Sequence, residues 1–489
     1  MRNNVGPSKL VFAVATTAAI VTLLLSCEKK PGISDPDDPV DSTDIIDLRS
    51  AVVKQLDSLL FELVGSDPSF PQTDLAALQS LGAAQVVGMG EATHGTREFF
   101  LMKHRIFRYL VEQHGFRVFA IEADIGESYF IDRYIQGENF DLDTLIRKTM
   151  LYATWRAAEV RDLIQWMRNT NVGRPASERL RYVGIECQYY PYHASILESY
   201  LAKAAPELLD HVRGVMGFAR WLSSPVDGMY ANYQILSSAN YSEVRDSVMK
   251  MRDLFTANQG ALIAGSSAEE FAFMMYVIQN LLSSHETMYA LVNTSPRPYG
   301  LRDAQMALNV QRVRDLFAPG LKVAVWAHNV HVSNKLGGFA NYVPVMGYQL
   351  RQALGMSYQI IGFSFTYGKF MAFTNVSGPW EPQTLSLPPP PGSLNEVFHQ
   401  ARVANFILRM SDIPPATPLD TVLTEGKPMM MFGAGYAGPT DGFYIPFAQR
   451  TAFDVMIHFD ATSASTYLQR IGSSVGVGEQ APGLKLDPP

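Results

Sequence analysis

The sequence predicts an α/β fold: a mostly parallel central sheet flanked by helices, with an inserted helical subdomain. Three observations carry that prediction. Short apolar runs of strand length alternate with segments of helical periodicity. At 86–124 a strand, a helix and a strand follow one another within about forty residues, the spacing of a βαβ unit and hence of parallel pairing. Of the 489 residues, 47% are hydrophobic and 18% charged. That charged share lies below the roughly 25% usual for soluble domains, so the chain can fill a large core.

At the N-terminus, Arg2 and Lys9 precede or flank the start of the apolar run LVFAVATTAAIVTLLLS (10–26), which ends at Cys27. This is the pattern of a signal peptide over residues 1–26. Leu24-Leu25-Ser26-Cys27 resembles the lipobox of bacterial lipoproteins, which predicts acylation of Cys27 and a lipid-anchored protein of the cell envelope with the membrane as a partner. An uncleaved anchor or ordinary cleavage nearby are the alternatives. Residues 27–46, rich in Pro, Asp and Ser, read as a flexible tether. The domain is expected over 47–475 and a C-terminal tail over 476–489. With Cys27 lipidated, Cys187 has no disulfide partner and is expected to be a buried strand-end residue.

Within the domain, VVGMG (86–90), RVFAIEAD (117–124), RLRYVGIEC (179–187), LKVAVWAHN (321–329), YQIIGFSFTYG (358–368) and FDVMIHFD (453–460) read as strands. TREFFLMKHRIFRYLVEQHG (96–115) reads as a helix stopped by Gly115. Residues 195–290 are helical in pattern without a convincing strand, and form the expected insertion. Residues 378–395, with PPPPG, read as an irregular crossing segment. The net charge of −7, with no basic block, gives nucleic-acid binding no electrostatic support.

In a parallel sheet, ligands bind beyond the carboxyl ends of the strands. Four predicted strand ends carry ionisable residues: Glu91 and His94; Glu122 and Asp124; Glu186; and His328, Asn329 and His331. Each has a plain structural reading as well. Glu91 and His94 would tie down the helix start, Glu122 would pair with a core arginine, and the later histidines would be satisfied in the core. Together they are more costly to bury without a use. Two chemistries suit the set. A histidine can act as general base on water with a carboxylate orienting it, giving ester or lactone hydrolysis without a cofactor. Alternatively Glu91, His94, Glu122, His328 and His331 hold a divalent metal, as a metal-dependent hydrolase or a non-catalytic ligand- or metal-binding surface lipoprotein. GSSVG around Ser474 lacks a downstream histidine, and GAGYAG (433–438) opens no helix, so neither is read as a catalytic motif.

The run GMGEATHGTREFFLMKHRIFRYLVEQHGFRVFAIEAD resembles the erythromycin esterase family, as do TWRAAEVRDLIQWMRNTN (154–171), RYVGIECQ (181–188), LRDAQMALNV (301–310), WAHNVHVSN (326–334) and MGYQLRQALGMSYQIIGFSFTYG (346–368). The resemblance implies hydrolysis of a small-molecule carboxylic ester, a macrolide lactone in the founding members. It implies His94 as the base that activates water, Glu91 and Glu122 as orienting groups, and His328 and His331 facing the substrate carbonyl. Lys103, Asn329 and Glu186 are expected to contact substrate. Lys103 stands where resistance enzymes can carry arginine, and lysine keeps the charge but not the planar fork.

Overall fold

The computed structural model describes residues 42–471, except 224–227, 295–298, 335–343, 375–377, 387, 437 and 439–440. The expected signal peptide, Cys27, the Ser474 motif and the tail lie outside the described residues. The chain builds a nine-stranded sheet among those residues. Its parallel core comprises β2 (Val86–Met89), β3 (Val118–Ile121), β4 (Arg181–Gly184), β5 (Val323–Trp326), β6 (Tyr358–Phe373) and β11 (Val455–Thr462), in the order β11-β6-β2-β5-β3-β4. β8 (Asn405–Arg409) and the short β1 (Phe61–Glu62) extend the β11 edge antiparallel. Every residue of β2, β3, β4 and β5 is buried. Burial on both faces explains why these strands read as continuous apolar runs rather than as alternation.

The helix Arg97–His114 turns Phe99, Phe100, Met102, Ile106, Phe107 and Leu110 to the core. It stops where Gly115 adopts a left-handed φ of 72°, the conformation of a helix C-cap. Its N-cap, Thr96, makes no side-chain capping bond, and the Arg97 amide donates to Ser463 O instead. Glu91 and His94 are therefore not the caps of this helix.

Two segments differ from the sequence expectation. The first helix starts at Ser42, inside the expected tether. Between His193 and Asn293 the described residues form six α-helices, and a further helix, Tyr299–Leu316, leads into β5. Residues 378–395 are not irregular throughout. Trp380–Leu385 forms β7, antiparallel to the end of β6, and Leu394–His399 is a helix. Pro382 obscured β7 in the sequence; it is tolerated because β7 pairs on one side only. β9 (Pro428–Met430) and β10 (Tyr444–Pro446) pair as a separate two-stranded sheet. No helix among the described residues is long and apolar enough to cross a membrane.

Candidate active site

The strand order places β2, β5, β3 and β4 side by side. These are the four strands that end in Glu91/His94, His328/His331, Glu122 and Glu186. The ionisable groups therefore meet along one continuous carboxyl edge.

Glu91 lies fully buried in the turn after β2. Its Oε1 is 2.6 Å from His94 Nδ1, while its Oε2 accepts from Lys103 Nζ and, at 2.7 Å, from Trp326 Nε1. The Lys103 ammonium also sits 4.3 Å from the centre of the Trp326 ring. Burial alone would raise the Glu91 carboxyl pKa, but Lys103 and His94 outweigh it and hold the group low, so it stays anionic. Burial lowers Lys103 to about 8 against the opposing pull of Glu91. Gly95, which closes the turn, has no room for a side chain, because a Cβ would overlap the Met371 backbone.

His94 donates Nδ1–H to Glu91, and its Nε2 makes no hydrogen bond among the described residues. The side chain is 15% exposed, against none for Glu91. Its ring meets Trp155 edge-on at 5.9 Å and His328 at 5.3 Å. An imidazole with one nitrogen anchored on a carboxylate and the other free is poised to accept a proton.

The second half of the cluster centres on Arg302. This guanidinium bonds both oxygens of Glu186, donates at 2.6 Å to Glu122 Oε1, and lies 2.9 Å from His331 Nε2. His331 Nδ1 is 2.7 Å from Asp303 Oδ1, and its Nε2 is 3.4 Å from Glu122 Oε1. Its side chain is 16% exposed. Burial works against the charged form of His331, but Asp303 and Glu122 outweigh it and raise its pKa. Burial likewise pushes Glu122 up, and His331 and Arg302 more than reverse this, so Glu122 is held well below the usual carboxylate range. Asp303 also accepts from the Met346 amide, which fixes it.

Several of the expected site side chains are engaged within the protein. Lys103 is fully buried behind Glu91, to which it donates. Lys103 and Trp326 donate to the same oxygen of Glu91. Asn329 is buried as well. Its side-chain amide donates to Phe363 O at 2.7 Å and accepts from Phe363 N at 3.0 Å, stitching the β5 end to β6. Glu186 is buried and committed to Arg302 and the Cys187 amide. His328 lines the site, but both its ring nitrogens are occupied: Nδ1 accepts from Val330 N, and Nε2–H donates to Phe432 O at 3.0 Å. Burial lowers its pKa to about 3, so this histidine is neutral. Asp124 caps the helix Ile125–Ile135 by accepting from Glu127 N at 2.8 Å, and burial pushes it up to about 8.

The same geometry tests the metal alternative. Among the described residues no group of three or more His, Cys, Asp or Glu is arranged to hold a metal ion. Glu91, Glu122, His328 and His331 are engaged with other groups, His94 keeps only Nε2 free, and two fixed cations, Lys103 and Arg302, stand among them. This donor set does not fit a divalent cation.

Sequence reasoning missed Arg302, Asp303, Trp326 and Trp155. Arg302 and Asp303 lie on the helix Tyr299–Leu316, not past a strand, so a search of strand ends passes over them. Trp326 is the last residue of β5 and reads as core. The stretch 433–436 also borders the site, with Gly433 beside His94. It is pinned by Phe432 N to Ala92 O at 2.9 Å and by Phe373 N to Ala434 O at 2.8 Å.

A family model described as erythromycin esterase matches residues 111–462. Erythromycin esterase type II of Escherichia coli is 23% identical over 298 residues, covering 58% of this chain and 70% of that protein. Among solved structures, a Bacillus cereus protein superposes with a TM-score of 0.75 at 23% identity, covering 86% of this chain and 99% of that one. An erythromycin esterase mutant in its open conformation superposes with a TM-score of 0.60 at 16% identity, over 84% and 97% of the two chains. These structural likenesses extend to the fold, whereas the family model covers most of the domain: the chain belongs to the erythromycin esterase family.

Proposed function

We propose that the protein hydrolyses a small-molecule carboxylic ester or lactone by general-base activation of water, with His94 as the base. The observation that carries this reading is the His94–Glu91 pair, in which Nδ1 is anchored at 2.6 Å and Nε2 is left free on a partly exposed ring. Water bound at Nε2 gives up a proton to His94 as its oxygen bonds to the carbonyl carbon. Glu91, kept anionic by Lys103, stabilises the imidazolium that forms. We assign the negative charge that develops on the carbonyl oxygen to Arg302 and His331, the two groups of this half of the cluster that can carry positive charge. Collapse of the tetrahedral intermediate breaks the carbon–alkoxide bond, and the alcohol leaves with the proton from His94. The family membership supports the reaction class, and no covalent enzyme intermediate is needed.

The test uses the chain from residue 28 onward against aryl esters and lactones, macrolides included, with and without chelator. Chelator-insensitive hydrolysis that disappears in His94→Asn supports the reading. Hydrolysis that persists in that variant overturns the base, and loss in chelator overturns the metal-free mechanism. Lipid attachment at Cys27 and an envelope location are proposed on the N-terminal sequence alone. Labelling cells with an alkyne fatty acid would report it, and an unlabelled protein would sink it.

A further inference from the structure

The stretch 433–436 is left unexplained by the reaction itself, yet its Gly433 lies against the proposed base. A Cβ built on Gly433 would stand 3.5 Å from His94 Cδ2 and 3.6 Å from Nε2, and among the described residues it would meet nothing else within 4 Å. Gly433 does not adopt a positive φ, so its backbone does not require glycine. Nor does packing require it, since those two distances are ordinary van der Waals contacts. What the absent side chain leaves is open space beside the one ring nitrogen free to bind water. The loop cannot easily retreat to make such space. Phe432 N donates to Ala92 O, Phe432 O accepts from His328, Phe373 N donates to Ala434 O, and Phe373 O accepts from Tyr436 N.

We infer that Gly433 is a specificity-determining position: its missing side chain leaves room beside His94 Nε2 for a substituent on the α-carbon of the acyl group. The inference rests on the reading of His94 as the base. Water held by Nε2 must lie within bonding reach of the carbonyl carbon, so atoms attached to that carbon fall within a few ångströms of the ring. A wall that ends in a hydrogen atom admits a branched α-carbon there, whereas a branched side chain would compete for the same volume. The substrate class is then an ester or lactone substituted next to its carbonyl.

The experiment compares the wild type, Gly433→Ala and Gly433→Val on aryl acetate, propionate and isobutyrate. Thermal melting would confirm that each variant is folded. The expected result is that Gly433→Val lowers kcat/KM for isobutyrate relative to acetate by roughly tenfold or more, with Gly433→Ala between the two. An unchanged isobutyrate-to-acetate ratio in folded variants overturns the inference. A second readout does not depend on ester hydrolysis: the rate at which diethyl pyrocarbonate modifies His94, followed by peptide mass spectrometry. This rate should fall in the order Gly, Ala, Val at position 433. If the wild type hydrolyses no ester but the modification rates follow that order, the esterase reading fails and the steric role stands. Equal modification rates overturn the steric role.

Discussion

His94 Nδ1 and Glu91 Oε1 lie 2.6 Å apart across a single turn, three residues from each other in the chain. The turn alone does not explain the pair. Glu91 keeps its charge in a fully buried place because Lys103, from the following helix, and Trp326, from the end of β5, both donate to its other oxygen. The local dyad thus depends on two distant elements.

Replacing the base should separate activity from folding. His94→Asn is expected to lower kcat by about 10²- to 10⁴-fold, the range for loss of a general base. The melting temperature should stay close to that of the wild type, because His94 is partly exposed and lies outside the core. A large drop in melting temperature would mean that His94 has a structural role.

Glu91 and Lys103 should behave as a buried pair. Glu91→Gln leaves the Lys103 ammonium buried without its counter-charge and should destabilise by about 3–5 kcal/mol, besides lowering activity. The double variant Glu91→Gln with Lys103→Met should recover much of that stability and none of the activity. Chemical denaturation of the four proteins gives the coupling directly. Additive effects would show that the two residues do not form the pair described.

Arg302 should set how far into acid Glu122 stays ionised. With the charges of His331 and Arg302 beside it, Glu122 stays ionised to low pH. Its contribution to stability is present above the unfolded carboxylate range and is lost as pH falls through its lower folded value. Removing the guanidinium in Arg302→Met should raise the Glu122 pKa and move the acid loss of folding stability, read by chemical denaturation across pH, to higher pH. Arg302→Lys, which keeps the charge without the fork, should move it less. Acid stability that is unchanged in both variants would show that Arg302 does not hold Glu122 ionised.

Acid stability offers a test away from the site. His104 is buried against Trp166 with neither ring nitrogen hydrogen-bonded, and burial lowers its pKa to about 4. A histidine depressed in the folded state favours unfolding as pH falls from about 6.5 towards 4, because the unfolded chain binds the proton first. His104→Phe should therefore be more stable than the wild type near pH 4.5, by up to about 3 kcal/mol at the acid end, and close to it at pH 8. Equal acid sensitivity in the two proteins would rule His104 out as a source.

The sequence by itself determined the strands of the parallel core and the residues that follow them. Runs such as Val86–Met89 and Val323–Trp326 are apolar at every position because both faces are covered, and that signature is local. It was also enough to set Glu91, His94, Glu122 and His331 on strand ends. Tertiary structure decided the rest. Only the order β2-β5-β3-β4 makes those ends neighbours, and strand order is a property of long-range pairing that no local pattern encodes. Arg302 and Asp303 enter from a helix more than a hundred residues beyond β4. Side-chain direction decided between roles that look alike in sequence. Lys103, His104 and Arg105 are consecutive, yet successive helical residues diverge by about 100°. One therefore supports Glu91, one packs on Trp166 and one pairs with Asp74. His328 and His331, three residues apart, separate in the same way: the first spends both nitrogens on backbone groups, and the second faces the carboxylates.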